Sequence, residues 1–136
     1  MPSRSSGRVS RALRWLAATG WTVLVVVLML MPGQDSAADD LSSFFGGTDI
    51  TDAIGHVFLF GVLVLLWLLA LATALPRARA LRWAVAIGLA VGLVSELLQV
   101  FIPHRGVTLL DLSANALGAA VALGVQRWLP GSLFEP

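Results

Sequence analysis

Residues 53–75 read AIGHVFLFGVLVLLWLLALATAL, 23 positions with no acidic or basic side chain other than the imidazole of His56. A helix rising about 1.5 Å per residue over that length covers the roughly 30 Å of hydrocarbon in a bilayer. Three further apolar stretches flank it, Trp15 to Met31 on one side and Trp83 to Ile102 and Leu112 to Leu129 on the other. The first is at the short limit for a span, and the last is diluted by Asn115, Gln126 and Arg127. Pro32, Pro76, Pro103 and Pro130 each follow a stretch, where a missing N–H does least damage to a helix. The pattern predicts an all-α integral membrane bundle of four transmembrane helices, spanning about 15–31, 53–75, 83–102 and 112–129.

Composition points the same way. The 136 residues are 57% hydrophobic and 12% charged, too little polar surface to coat a water-soluble globule. With no cysteine, disulfides and thiolate chemistry are excluded. All nine cations are arginines, clustered between apolar runs, a distribution that reads as membrane orientation and not as a nucleic-acid surface. Arg4, Arg8, Arg11 and Arg14 precede the first span, and Arg77, Arg79 and Arg82 fall between the second and third; the link from Pro32 to Asp52 holds five aspartates and no cation. The positive-inside rule then makes residues 1–14 a cytoplasmic arm and 130–136 a cytoplasmic tail, with 15–129 the transmembrane domain. Trp15, Trp83 and Trp128 fall at the expected cytoplasmic boundaries, where an amphipathic ring is favoured. A competing expectation reads the first span with Ser36-Ala37-Ala38 as a signal peptide, although its apolar run exceeds the usual h-region.

Small residues suggest how the helices pack. Gly88 and Gly92 form a G-x-x-x-G in the third span, and Ala116, Ala120 and Gly124 line the fourth, so these two helices are expected to meet along those stripes.

The polar residues inside or beside the spans carry the functional reading. Asp52 and His56 lie one turn apart at the start of the second helix, Glu96 and Gln99 share a face near the end of the third, and Asp111 and Asn115 repeat the one-turn spacing in the fourth. His104 and Arg105 occupy the link between the last two helices. Counted from the ends of the apolar runs, His56 and Asn115 lie about 6 Å and Glu96 about 10 Å below the outer boundary. Ionisable groups at such depth turn inward and find partners, so a pocket toward the outer face is expected from Asp52, His56, Glu96, Gln99, Arg105, Asp111 and Asn115. The N-termini of the second and fourth helices, with Arg105, would favour an anionic ligand there.

Structural readings stand beside these. Asp52 and Asp111 each suit an N-terminal cap, His56 a bond to a neighbouring helix, and Glu96, which needs a cationic partner or a proton, a pair with Arg105 or His56. Asp52-x-x-x-His56 and Asp111-x-x-x-Asn115 echo each other, but two positions are too few for a duplication.

The series Asp52-x-x-x-His56, Glu96-x-x-Gln99, Pro103-x-Arg105, Thr108-x-x-Asp111 and Asn115-x-x-Gly118 resembles the VanZ-like family of bacterial membrane proteins, over roughly residues 15 to 125. The chain departs from many members in carrying Ala53 where they have lysine, so no lysine serves at that place. The resemblance implies a multi-pass bacterial inner-membrane protein, and the family's name adds a link to glycopeptide (teicoplanin) resistance; it brings no established biochemical activity. The expected function is binding of an anionic or amide-rich amphiphile, such as a lipid-linked cell-envelope precursor or a lipoglycopeptide, among membrane lipids and without nucleic acid. Catalysis is the less favoured alternative, with His56, Glu96 and Asp111 in acid–base or metal-assisted chemistry, and a non-catalytic scaffold is a third. The chain has no H-E-x-x-H, G-x-S-x-G or P-loop pattern, so no resident cofactor or metal is expected.

Overall fold

The computed structural model describes residues 4–31, 49–102 and 108–134, with side chains from residue 10 and again from residue 50. These residues are helical throughout, with no strand among them: α1 (Arg4–Leu30), α2 (Asp49–Leu71), α3 (Arg77–Gln99) and α4 (Leu109–Val125), followed by a single 3-10 turn at Gly131–Phe134. Ser10–Leu30, Ile50–Leu71 and Arg77–Gln99 are each long and apolar enough to cross a membrane, whereas Leu109–Val125 is a shorter apolar helix.

The helices do not coincide with the apolar runs. The arginine arm expected to stand apart is continuous with the first span, since α1 begins at Arg4, and its Arg, Ala and Leu are all good helix formers. The second helix stops at Leu71, and a turn in which Leu75 N–H donates to the Leu71 carbonyl at 2.9 Å leads to Pro76. With φ −55° and ψ 140°, Pro76 redirects the chain and becomes the N-cap of α3. Arg77, Arg79 and Arg82, expected in a link, therefore lie in the first two turns of a helix. Hydropathy marks the part of a helix suited to lipid, not the helix itself.

Contacts between α1 and α2 pair early residues of one with late residues of the other, so the two helices are antiparallel. At one end of the bundle α1 and α2 are tied by indole N–H groups: Trp15 to Thr73 Oγ1 at 3.4 Å and, further along, Trp67 to Thr22 Oγ1 at 2.9 Å and Trp21 to the Leu59 carbonyl at 3.0 Å. Trp15 also stands edge-on to Trp67 with centroids 5.7 Å apart. At the same end Arg77 donates to the carbonyl and Oε1 of Gln126 at 2.6 and 2.7 Å and lies over the Phe134 ring, while Arg14 donates to the Leu133 carbonyl at 2.7 Å. The start of α1 and the segment after α4 thus share the arginine-bearing end.

The central helix is α2, which packs against the other three and most extensively against α4. One core, Val25, Met29, Phe60 and Leu63, joins α1 to α2; a second, with Val64, Leu68, Ala80, Ala84, Ala119 and Ala122, joins α2, α3 and α4. The small-residue expectation needs correction. Ala116, Ala120 and Gly124 are exposed, and the buried face of α4 is Ala114, Asn115, Gly118, Ala119 and Ala122. Gly118 meets α2, where a Cβ would stand 2.6 Å from the Val57 carbonyl oxygen and 3.0 Å from Gly61 N. Gly88 likewise faces Val64 of α2, and Gly92 alone of that pair reaches α4, at Asn115. The reason is that small residues allow close approach on any face, and α2 occupies the middle.

The outer surface of the bundle is apolar, with Leu16, Val23, Val27, Phe58, Leu89, Leu93, Leu97 and Leu117 among its exposed side chains, while His56, Ser95, Glu96, Gln99 and Asn115 are buried. In water such a surface would aggregate; in hydrocarbon it is the favoured one.

Candidate functional site

Three helices bring polar side chains together at the end opposite the arginines. His56 enters from α2, Glu96 from α3 and Asn115 from α4, and they are 7%, 0% and 3% exposed. Counted along the helices, His56 is about 10 Å from the start of α2, Asn115 about 9 Å from the start of α4, and Glu96 about 5 Å from the end of α3. These depths replace the expected values, because α2 and α4 start before the boundaries that hydropathy suggested, whereas α3 ends at Gln99, short of Ile102.

The bonds have a defined polarity. Asn115 Nδ2 donates to Glu96 Oε1 at 3.4 Å, so the amide turns its N–H toward the carboxyl group. Asn115 Oδ1 then faces His56 Nδ1 at 2.8 Å, which makes Nδ1 the donor. His56 Nδ1 also stands 4.0 Å from Glu96 Oε1, within ion-pair range but secondary to the bridge through Asn115. Phe60 stacks on the imidazole with centroids 6.4 Å apart, walling one side. Gly92 leaves the room that this bridge needs, since a Cβ on it would lie 3.3 Å from both Cβ and Nδ2 of Asn115.

Asp111 joins from the start of α4. The N-cap of that helix is Thr108, whose hydroxyl accepts from Asp111 N–H at 3.0 Å and donates to Asp111 Oδ2 at 2.6 Å. Asp111 is therefore not the cap itself, as the sequence reading allowed, but the third helical residue, which closes a T-x-x-D pairing related to the capping box. Thr108, quoted above within that spacing, was not among the expected pocket residues and enters as the partner of Asp111. Asp111, half-buried, also offers a carboxylate oxygen to a group with His56 and Glu96 whose donor atoms all lie within 4.8 Å of one another.

Two expected members stand elsewhere. Gln99 is buried, but its amide Nε2 donates to the Met29 carbonyl at 3.0 Å, satisfying an acceptor in the last turn of α1 and tying α3 to α1. Asp52 is exposed; because α2 begins at Asp49, Asp52 is not the N-cap and sits in the first turn, where a negative charge complements the helix dipole. His104 and Arg105, including the proposed Glu96–Arg105 pair, lie outside the described residues.

On the α2–α4 seam, on a face of α2 turned away from His56, runs an open apolar groove of about 280 Å³, with Ile54, Phe58 and Val121 on its walls and Gly61 and Ala122 among its lining. Ile54 and Phe58 are 64% and 61% exposed. The bundle therefore offers carboxylate and amide groups to a polar ligand at the cluster and, on the α2–α4 seam, a surface that suits a hydrocarbon chain.

Comparison with curated proteins and with solved structures finds no match for this chain. A family comparison does: the profile described as VanZ/LLP1 matches residues 5–130, nearly the whole chain, including every residue of the His56–Asn115–Glu96 bridge. An apolar-surfaced helical bundle with buried polar groups, matched over that length, is a VanZ-like membrane protein, and the chain belongs to the VanZ/LLP1 family.

Proposed function

We propose that this protein binds an amphiphile with an amide-rich head, in the class of lipid-linked cell-envelope precursors or lipoglycopeptides, at a pocket near the outer face of a bacterial inner membrane. In this reading all four helices span, both termini are cytoplasmic, and the head group meets the cluster while its chain lies in the α2–α4 groove. The observation that carries it is the convergence of His56, Asn115, Glu96 and Asp111 from three helices, in a bundle that also has an apolar groove on the α2–α4 seam.

The chemistry selects among heads. Glu96 and Asp111 repel an anion and accept from N–H and O–H donors, so the described part of the cluster favours amides, ammonium and hydroxyl groups over phosphate or carboxylate. The anionic alternative rests on Arg105 and the helix N-termini. A role in glycopeptide resistance would follow if the bound head were the drug or its target.

The test is photo-crosslinking in proteoliposomes, using a lipid-linked amino-sugar peptide precursor that carries a diazirine in its chain. The reading expects adducts on α2 and α4 around Phe58 and Val121, competed by unlabelled precursor and reduced by Val121→Trp and by Glu96→Gln. Labelling that unlabelled precursor does not compete, or that both variants leave unchanged, overturns it.

A further inference from the structure

The donor set formed by His56, Glu96 and Asp111 has a chemistry that amphiphile binding does not use. One imidazole and two carboxylates, each from a different helix, place ligand atoms within 4.8 Å of one another. Around an ion bonded at 2.0–2.2 Å in tetrahedral geometry, neighbouring ligand atoms stand about 3.4 Å apart. Side-chain adjustments of about 1 Å, well within the reach of Glu and Asp torsions, close the set onto a cation.

A second observation concerns how the donors are held. Asp111 Oδ2 accepts from the Thr108 hydroxyl at 2.6 Å, and Glu96 Oε1 accepts from Asn115 Nδ2 at 3.4 Å. His56 Nδ1, the ring nitrogen that faces the carboxylates, lies 2.8 Å from Asn115 Oδ1 and 4.0 Å from Glu96 Oε1, so ligation through it needs the tautomer protonated on Nε2 and a turn of the Asn115 amide. The imidazole is more than nine-tenths buried, which holds it beside the two carboxylates. Outer groups that aim carboxylates, as Thr108 and Asn115 do here, are the usual surroundings of metal ligands.

We propose that His56, Glu96 and Asp111 form a binding site for a divalent first-row transition-metal cation, of the Zn²⁺ or Mn²⁺ type. Mixed nitrogen and carboxylate donors suit such ions better than Ca²⁺ or Mg²⁺, which prefer oxygen alone, and the lack of thiolate disfavours soft ions. Three protein ligands leave at least one coordination position for water or for a ligand oxygen. The site stands independently of amphiphile binding, since the cation is held by the protein alone.

The experiment uses the full chain in lipid nanodiscs, stripped with chelator and equilibrated separately with Mn²⁺ and Zn²⁺, with Mg²⁺ as comparison. Elemental analysis after gel filtration reads stoichiometry, and pulsed electron paramagnetic resonance of the Mn²⁺ form reads nitrogen coupling from an imidazole ligand. The expected result is one Mn²⁺ or Zn²⁺ per chain, a nitrogen coupling lost in His56→Ala, and affinity weakened at least tenfold in Asp111→Asn. Thr108→Val, which removes the hydroxyl that both orients Asp111 and caps α4, should weaken binding about tenfold. Asp52→Asn, outside the cluster, should bind as wild type. Asp111 is only half-buried, so its variant keeps the test valid if His56→Ala fails to fold. Absence of stoichiometric metal in the folded wild type, or equal binding by wild type and Asp111→Asn, overturns the proposal. Either result leaves the precursor crosslinking to be judged separately.

Discussion

Gly118→Ala tests the contact that sets the site. The added Cβ would stand 2.6 Å from the Val57 carbonyl oxygen and 3.0 Å from Gly61 N, both backbone atoms that cannot rotate away. Carbon and carbonyl oxygen settle at about 3.3 Å or more, so α2 and α4 must separate by about 0.7 Å at this crossing. Overpacking of this kind costs about 1–3 kcal/mol, and the upper half applies because backbone and not a side-chain tip must yield. Asn115 lies one turn away on α4. The same displacement stretches its 2.8 Å bond with His56 to about 3.5 Å, the limit of a hydrogen bond. The expected outcome is a loss of about 2 kcal/mol in reversible unfolding in mixed detergent micelles. Gly124→Ala is the control, because nothing lies within 4 Å of a Cβ there. If Gly118→Ala unfolds together with Gly124→Ala and wild type, the close α2–α4 crossing is wrong.

Other outcomes follow from the same contacts. Gln99→Leu removes the donor to the Met29 carbonyl and should cost about 1 kcal/mol in the same unfolding assay, with no change in cation affinity, since Gln99 lies outside the donor set. Arg77→Ala removes both bonds to Gln126 and the contact over Phe134, and should speed amide exchange in the segment 131–134 several-fold while leaving exchange in α2 unchanged. Orientation can be read by single cysteines, because the native chain has none: Ser36→Cys should react with an impermeant maleimide added outside intact cells, and Ala78→Cys only after permeabilisation.

The existence of the helices was legible in the apolar runs, because a helix in hydrocarbon must be apolar along most of its length. Their ends were not. Asp49 to Asp52 and Arg77 to Arg82 are polar yet helical, and hydropathy registers only the stretch that suits lipid. The cluster was legible in part for a different reason: His56, Glu96, Asp111 and Asn115 are costly in lipid as single residues, so their presence at one end announced partners. Which partner each takes was not written locally. Gln99 resembles Glu96 in position but reaches a backbone carbonyl of α1, and a carbonyl leaves no mark in the sequence. The choice of Gly118 over Ala116 and Ala120 as the contact likewise depends on α2 lying at the centre of the bundle, which no single helix discloses.

The central claim is that side chains from separate helices meet through Asn115. Solid-state nuclear magnetic resonance on the protein in bilayers, with ¹⁵N-labelled histidine and ¹³C-labelled asparagine, measures it directly. Asn115 is the single asparagine, so the carbon label is unique, and His56→Gln removes the assigned nitrogen signal. A strong dipolar coupling between His56 Nδ1 and the Asn115 side-chain carbonyl carbon is the predicted result; a pair showing no coupling in folded protein would contradict the account.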